Sequence, residues 1–306
     1  MYNAELKERY IIEKEATAIL PNNYLRCNFE KVSGFERSYD RDLCNWTKME
    51  IMEFYKYLGT ASVSTLVVMN SAFSQYSQWC NQNNLVKDHQ NHFSEITAEM
   101  LHHCINIGLA KQLIIVRQQL ITEIRSLPNP SDQFALLALF EGIKGKDFCE
   151  ILNIKTKDIS DGHIKLCTGR VVRISKELEN IALESASTYD YYTLGDKGKV
   201  IPFIGDADSV IKDYPNVTEG TSDFIKGRRI YNKLNRAIDY LGLSSNITAN
   251  ALYESGRIWF IKQELEKYNM NLEEYLKSKN RKDMENQYNS IHSINSYILK
   301  YGSYFE

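Results

Sequence analysis

The sequence predicts a mostly α-helical chain in two domains, the second carrying a small antiparallel β-sheet. Three observations predict it. Apolar residues recur at helical spacing through most of the first 127 residues. The stretch SLPNPSD, 126–132, interrupts that pattern with two prolines. Beyond it, KDISDGHIKL and GRVVRIS are short strand-like runs, the first folded on an Asp161-Gly162 turn. A chain of 306 residues exceeds what one core usually organises. The boundary is therefore placed in SLPNPSD, giving a helical domain over 1–127 and a mixed domain over 128–306.

Taken in order, MYNAELKERYIIEKEATAIL is charged and helical. Thr47 and Glu50 form a capping box, after which Ile51, Phe54, Tyr55 and Leu58 recur on one helical face before Gly59. From Ser62 to Asn84 there is no charge; Leu66, Met69, Phe73, Tyr76 and Cys80 mark an apolar face, and Ser, Thr, Asn and Gln a polar one. Thr97 caps a helix running to Ile107, and another covers about 111–126. Ser131 offers a new cap, FALLALFEGI reads as a buried helix and DFCEILNI as a second. After the strands, helices return from SKELENIALESAS onward, over 222–241, over 248–268 and near the C-terminus.

Composition excludes several classes. No run reaches the roughly 18 apolar residues that span a bilayer, and the charged start is unlike a secretory signal, so an intracellular, cytoplasmic protein is expected. The cysteines Cys27, Cys44, Cys80, Cys104, Cys149 and Cys167 form no C-x-x-C pair and read as buried free thiols. His102 and His103 are adjacent, which points their rings apart on a helix. No metal and no cofactor is expected. The net charge of −2 does not advertise a nucleic-acid binder, but FIKGRRIYNKLNRAI, 224–238, holds Lys226, Arg228, Arg229, Lys233 and Arg236 with no acid, whereas ELEKYNMNLEE, 264–274, is mostly acidic.

Four stretches resemble the tyrosine recombinase or phage integrase family. ALLALFEGIKGKDFCEILNIKTKDIS, 135–160, is similar to its helix, Gly-hydrophobic-Arg turn, Glu-Leu helix and strand entry, with Gly142-Ile143-Lys144 at the turn. HIKLCTGRVVRIS resembles its hairpin, where Lys165 is nearest the usual lysine; ITANALYESGRIWF resembles its His-x-x-Arg helix start; and the approach to Leu276 resembles its third box. The resemblance implies a helical core-binding domain plus a catalytic-type domain that close on duplex DNA as a clamp. It also implies a degenerate catalytic set: Lys144 for the first arginine, Asn250 and Tyr253 for the His-x-x-Arg pair, Lys277-Ser278 for Gly-His, with Tyr288 at the interval of the nucleophile and Tyr297 and Tyr301 as alternatives. Lysine lacks the planar fork with which arginine holds two phosphate oxygens, and a phenol needs an activated phosphate to attack.

GIKGKDFCEILNIKTKDI and LYESGRIWFI further resemble the recombinase-like repressors of SP-beta-type prophages, including Ser255-Gly256 in the arginine helix. That likeness implies a nonenzymatic, sequence-specific repressor that binds operator repeats in double-stranded DNA, maintains lysogeny and sits on the host nucleoid. A divergent active recombinase using Tyr288 or Tyr297, and a module binding a phage regulatory protein or peptide, are the alternatives. The expected DNA contacts are Lys144 and Lys146 at the turn; at most one of Arg170 and Arg173, which point to opposite faces of a strand; Lys226, Arg228, Arg229, Lys233 and Arg236, of which Arg229, Lys233 and Arg236 share a helical face; Arg257, one turn beyond Tyr253; and Ser64, Thr65 and Asn70 on the uncharged polar face.

Overall fold

The structure, a computed structural model, describes residues 1–15, 22–87, 89–195, 198–215, 221–243, 247–289 and 293–305. Residues 16–20 of the helical opening and Asn246, before the 248–268 helix, lie outside the described residues. The chain divides into two compact units, Met1–Lys111 and Gln112–Glu306.

The first unit is helical: α1 (Ala4–Glu15), α2 (Asn22–Tyr39), α3 (Lys48–Tyr57), α4 (Val63–Gln82), α5 (Ala98–His102) and α6 (Ile107–Gln112), the last ending at the division. The capping box of α3 forms as expected, with the Thr47 side chain accepting from the Glu50 N–H and the Glu50 carboxylate accepting from the Thr47 N–H. Its core is aromatic: Tyr10, Phe29, Phe73 and Tyr76 are almost wholly buried, and Tyr76 meets Phe29 and Tyr10 edge-on at 5.0 and 5.1 Å. Against this core lies a buried ionic cluster. Lys7 Nζ stands 2.5 Å from Glu36 and 3.3 Å from Asp42 and donates to the Tyr2 carbonyl, while the Tyr76 hydroxyl donates to Asp42 at 3.1 Å.

The second unit contains α7 (Arg117–Ile124), α8 (Pro130–Phe140), α9 (Cys149–Leu152), a three-stranded antiparallel sheet β1 (Ile159–Ser160), β2 (His163–Lys165), β3 (Val171–Arg173), α10 (Lys176–Ser187), a hairpin β4 (Asp190–Tyr192) and β5 (Val200–Pro202), then α11 (Asp223–Tyr240), α12 (Ala249–Tyr268), α13 (Leu272–Lys277), α14 (Arg281–Tyr288) and α15 (Ile294–Tyr301). Helix α8 is the axle: Phe134 to Phe140 are all fully buried, and α7, α10, α11 and α12 pack around it. Gly256 lets α12 approach, since a Cβ there would lie 1.6 Å from the Phe140 carbonyl oxygen.

Several expectations need adjusting. The helix read over 111–126 is two helices, because Ile115 leaves the helical path and donates its N–H to Ser255 Oγ at 3.1 Å. Ile115, Leu120, Ile121, Ile124 and Leu127 join the second unit's core, so the units part at 111/112 and not at 127/128. Ser131 is no cap; Asn129 holds that position with Pro130 opening the helix. The DFCEILNI helix shrinks to Cys149–Leu152, because Asp147 and Phe148 take left-handed backbone. The Asp161-Gly162 turn has positive φ at both residues, as a two-residue hairpin turn requires. The β4–β5 hairpin was not anticipated; only Tyr191 of its six residues is buried, too little alternation to read as strands. All six cysteines are free, but Cys27 and Cys167 are exposed.

Candidate nucleic-acid interface

The turn at 142–146 is set by backbone demands. Gly142 has a φ of +94°, and a Cβ there would meet the Gln287 carbonyl oxygen at 2.2 Å. Behind it sits Glu150, fully buried, whose carboxylate accepts from the Lys144 N–H, Thr168 Oγ1 and Arg170. Burial pushes the Glu150 carboxyl up, but the bonds and charge of Arg170, with Thr168 and the Lys144 N–H, outweigh it and hold it below its usual value.

Arg170 is thereby removed from the expected DNA contacts. Its guanidinium lies 2.7 Å from Glu150 and also donates to the carbonyls of Gly142, Asn286 and Gln287, tying turn, hairpin and α14 together. Arg173 is the exposed member of the pair, its side chain 57% accessible and 3.6 Å from Glu264.

The N-terminal turns of α12 carry the degenerate set. Thr248 caps the helix through the Ala251 N–H. Asn250 accepts from Lys144 Nζ at 3.0 Å, and that ammonium lies 5.1 Å from the centre of the Tyr253 ring. Burial lowers the Lys144 pKa; Glu254 opposes this, and Arg257 and Lys300 add to it. Tyr253 is buried and donates its hydroxyl to the Tyr288 carbonyl. Arg257 is only 4% exposed, between the rings of Tyr253, Tyr288 and Tyr301, and donates to Tyr301 Oη at 2.6 Å. It is not a surface contact: α12 turns it inward over Glu254. Burial works against its charge, and Tyr301, Glu254 and Tyr253 together hold its pKa above the usual value.

Tyr288 is 1% exposed and donates its hydroxyl to the Phe140 carbonyl at 2.9 Å. Burial, reinforced by Glu141, pushes this phenol well above its usual pKa. Ser278 bonds the Tyr275 carbonyl, closing α13, while Lys277 pairs with Glu273 one turn back. Tyr297 and Tyr301 are both buried.

On α11 the expectation divides. Arg228 and Arg236 are exposed, Arg229 is half-buried, and Lys226 stands 3.6 Å from Asp213. Lys233 is corrected: it is 7% exposed, 2.9 Å from Asp132 and 2.6 Å from Ser131, with the Tyr191 ring 4.6 Å away. The residues of α11 that face the core are Gly227, Ile230, Leu234, Ala237 and Ile238, and Lys233 falls in the same arc. Lys146 is exposed at its turn.

In the first unit, Ser64 and Thr65 are exposed near the start of α4. Asn70 is not available to a ligand, because its amide accepts from Tyr55 Oη and donates to the Phe93 carbonyl, both at 3.0 Å. The acidic 264–274 segment is also partly spent: Glu264 is buried beside Arg173 and Lys267, and Glu274 caps α13. No described helix is long and apolar enough to cross a membrane. Sequence reasoning passed over Glu254, Lys300 and Glu150; of these, only the pairing of Glu254 with Arg257, three residues apart on α12, left a local signal.

Comparison with known proteins gives consistent results. The family profile described as "MrpR, C-terminal catalytic domain" matches residues 114–303, and "MrpR, N-terminal core-binding domain" matches 1–82. The SPbeta prophage-derived uncharacterized protein YopR of Bacillus subtilis strain 168 is 24% identical over 274 residues, covering 85% of this chain and 81% of its own. Among solved structures, a lambda integrase dimer bound to a COC′ core site aligns over 97% of this chain and 76% of its own, at 14% identity and a TM-score of 0.45. XerA recombinase aligns over 97% and 92%, at 12% identity and a TM-score of 0.38.

Proposed function

The chain belongs to the MrpR family, and on that premise we propose that it is a sequence-specific repressor of phage genes that grips double-stranded DNA without cutting it. The kinship with a prophage-derived protein supports the phage setting. One observation carries the non-cleaving half. Four positions of the degenerate set bear residues turned to another use: Lys144 donates to Asn250, Tyr253 to the Tyr288 backbone, Ser278 to its own helix end, and Tyr288 to the Phe140 carbonyl, while the hairpin Lys165 stays exposed. A phenol buried and bonded to a backbone carbonyl in this way is poorly placed to lose its proton or to reach a phosphorus atom.

The gripping half rests on exposed cations. Lys146, Arg173, Arg228 and Arg236 present charge in the second unit, and Ser64 and Thr65 present short hydroxyls in the first. Such groups position a protein on the sugar-phosphate backbone. We place it on the host nucleoid, in the cytoplasm.

Mobility shifts against fragments of its own phage and host genome test this. One class of fragment, holding repeated operator sequences, is expected to bind preferentially at moderate salt, with affinity falling steeply as salt rises. Equal binding to all fragments would refute the repressor reading.

A further inference from the structure

The side chains around Glu254 count unevenly. Lys144, Arg257 and Lys300 bring three positive charges from the turn, α12 and α15, and Glu254 brings one negative charge. Glu254 Oε1 accepts from Lys300 Nζ at 2.9 Å, and Oε2 accepts from Tyr301 Oη at 2.5 Å with Arg257 Nη1 at 3.5 Å. Burial pushes this carboxyl up, but Arg257, Lys300 and the Tyr301 hydroxyl outweigh it and hold it below its usual value.

Two oxygens do not use up the donors present. Among the described residues, Arg257 Nε is buried with no hydrogen-bond partner, although the residue is only 4% exposed. Among the described residues, Lys144 Nζ donates to the neutral amide of Asn250 and to no carboxylate. Guanidinium, ammonium and phenol donors converging from separate elements make the environment that a tetrahedral oxyanion needs, since such an ion has more acceptor oxygens than a carboxylate and carries up to two charges. The one buried cation of the three, Arg257, is held with an anion beside it.

We propose that this cluster is an oxyanion site of the phosphate class, and that the Glu254 carboxylate is its built-in occupant. While Glu254 is charged and in place, it neutralises the donors and closes the site to phosphate. The inference deepens the non-cleaving reading above, because a phosphate kept out cannot be activated. Its first test uses no DNA, so the two can fail separately.

The test is thermal unfolding of the full chain in inorganic phosphate at fixed ionic strength and millimolar concentration, for the wild type and for Glu254→Gln, which keeps the side-chain shape and removes the charge. A ligand that binds the folded state raises Tm with its concentration, whereas sulfate-like exclusion effects act on both proteins alike. The expected result is a phosphate-dependent rise in Glu254→Gln, absent in the wild type and abolished when Lys300→Met is added. Equal responses of wild type and Glu254→Gln, or a response that survives Lys300→Met, would overturn the proposal.

Should Glu254→Gln not fold unaided, its refolding yield is measured in phosphate and in chloride. Recovery in phosphate alone supports the site, and no difference between the two overturns it. Given a phosphate response, DNA binding of Glu254→Gln assigns the source of the oxyanion: a salt slope steeper by about 0.9 than the wild type's indicates one added backbone phosphate. An unchanged slope assigns the site to free phosphate.

Discussion

The first unit closes Lys7 between Glu36 and Asp42, one cation against two carboxylates, while the second sets Lys144, Arg257 and Lys300 against Glu254. The surpluses have opposite sign, and so do the consequences. Glu36, fully buried and with Asp42 nearby, has its pKa pushed up to about 7 despite Lys7, whereas Glu254 is held below its usual value. The Lys7 cluster is sealed, all three side chains at or below 5% exposure; the Glu254 cluster opens to solvent at Lys300, 40% exposed. A sealed ionic cluster of the first kind fixes how α1, α2 and the loop after it dock. An open one with surplus cations offers something to an anion. Charge sealed from water serves structure in the first unit, and the proposed anion site lies where the second unit's cluster opens to it.

The largest effect that sharpens this contrast comes from Lys7→Met. Removing the cation leaves two carboxylates facing each other in a dry site, which costs about 3–5 kcal/mol. Denaturation of a Trp259→Phe background, in which only Trp46 and Trp79 of the first unit report, is expected to show an early fluorescence transition. An unchanged midpoint would break the comparison at its structural end.

Next in size is the pH response of the first unit. Glu36 has a folded pKa of about 7 against 4.5 for an ordinary glutamate, so the folded unit binds the extra proton between those values. Its contribution is fully present below about pH 4.5 and is lost as pH rises to about 7, on the order of 3 kcal/mol in total. The same fluorescence midpoint should fall with pH across that window, and Glu36→Gln should flatten the fall. A rise with pH through the window would contradict the burial argument.

Smallest in stability, though not in function, are Arg228→Ala and Arg236→Ala on α11. Exposed residues of this kind change stability by no more than about 0.5 kcal/mol. Each is expected to lower the salt slope of DNA binding by about 0.9 if it meets a phosphate. Lys233→Ala is the contrasting case: it strips the partner from buried Asp132 and should destabilise the second unit strongly.

What was legible in the sequence was what is decided locally. The α3 capping box joins residues three apart, the Asp161-Gly162 turn is set by its own backbone, and the face of α4 follows from helical spacing. Pairings across the chain were not legible. The same-sign run over 224–238 holds no acid of its own, and Lys233 took Ser131, 102 positions away, and its neighbour Asp132. Arg170 looked like a surface cation on a strand, yet it bonds Glu150 and the Gln287 carbonyl, 20 and 117 positions off. Arg257 was correctly placed one turn beyond Tyr253, but its partner Tyr301 comes from α15, so its inward course could not be read. Composition cannot distinguish a cation committed to its own fold from one left for a ligand.

Central to the proposed function is a catalytic-type unit that holds DNA and breaks no strand. Incubating the full chain with nicked duplex substrates made from its bound fragments, then separating under denaturing conditions, reads it directly. No covalent protein–DNA adduct is expected, with wild type and Tyr288→Phe behaving alike. An adduct that forms with the wild type and disappears in Tyr288→Phe would contradict it.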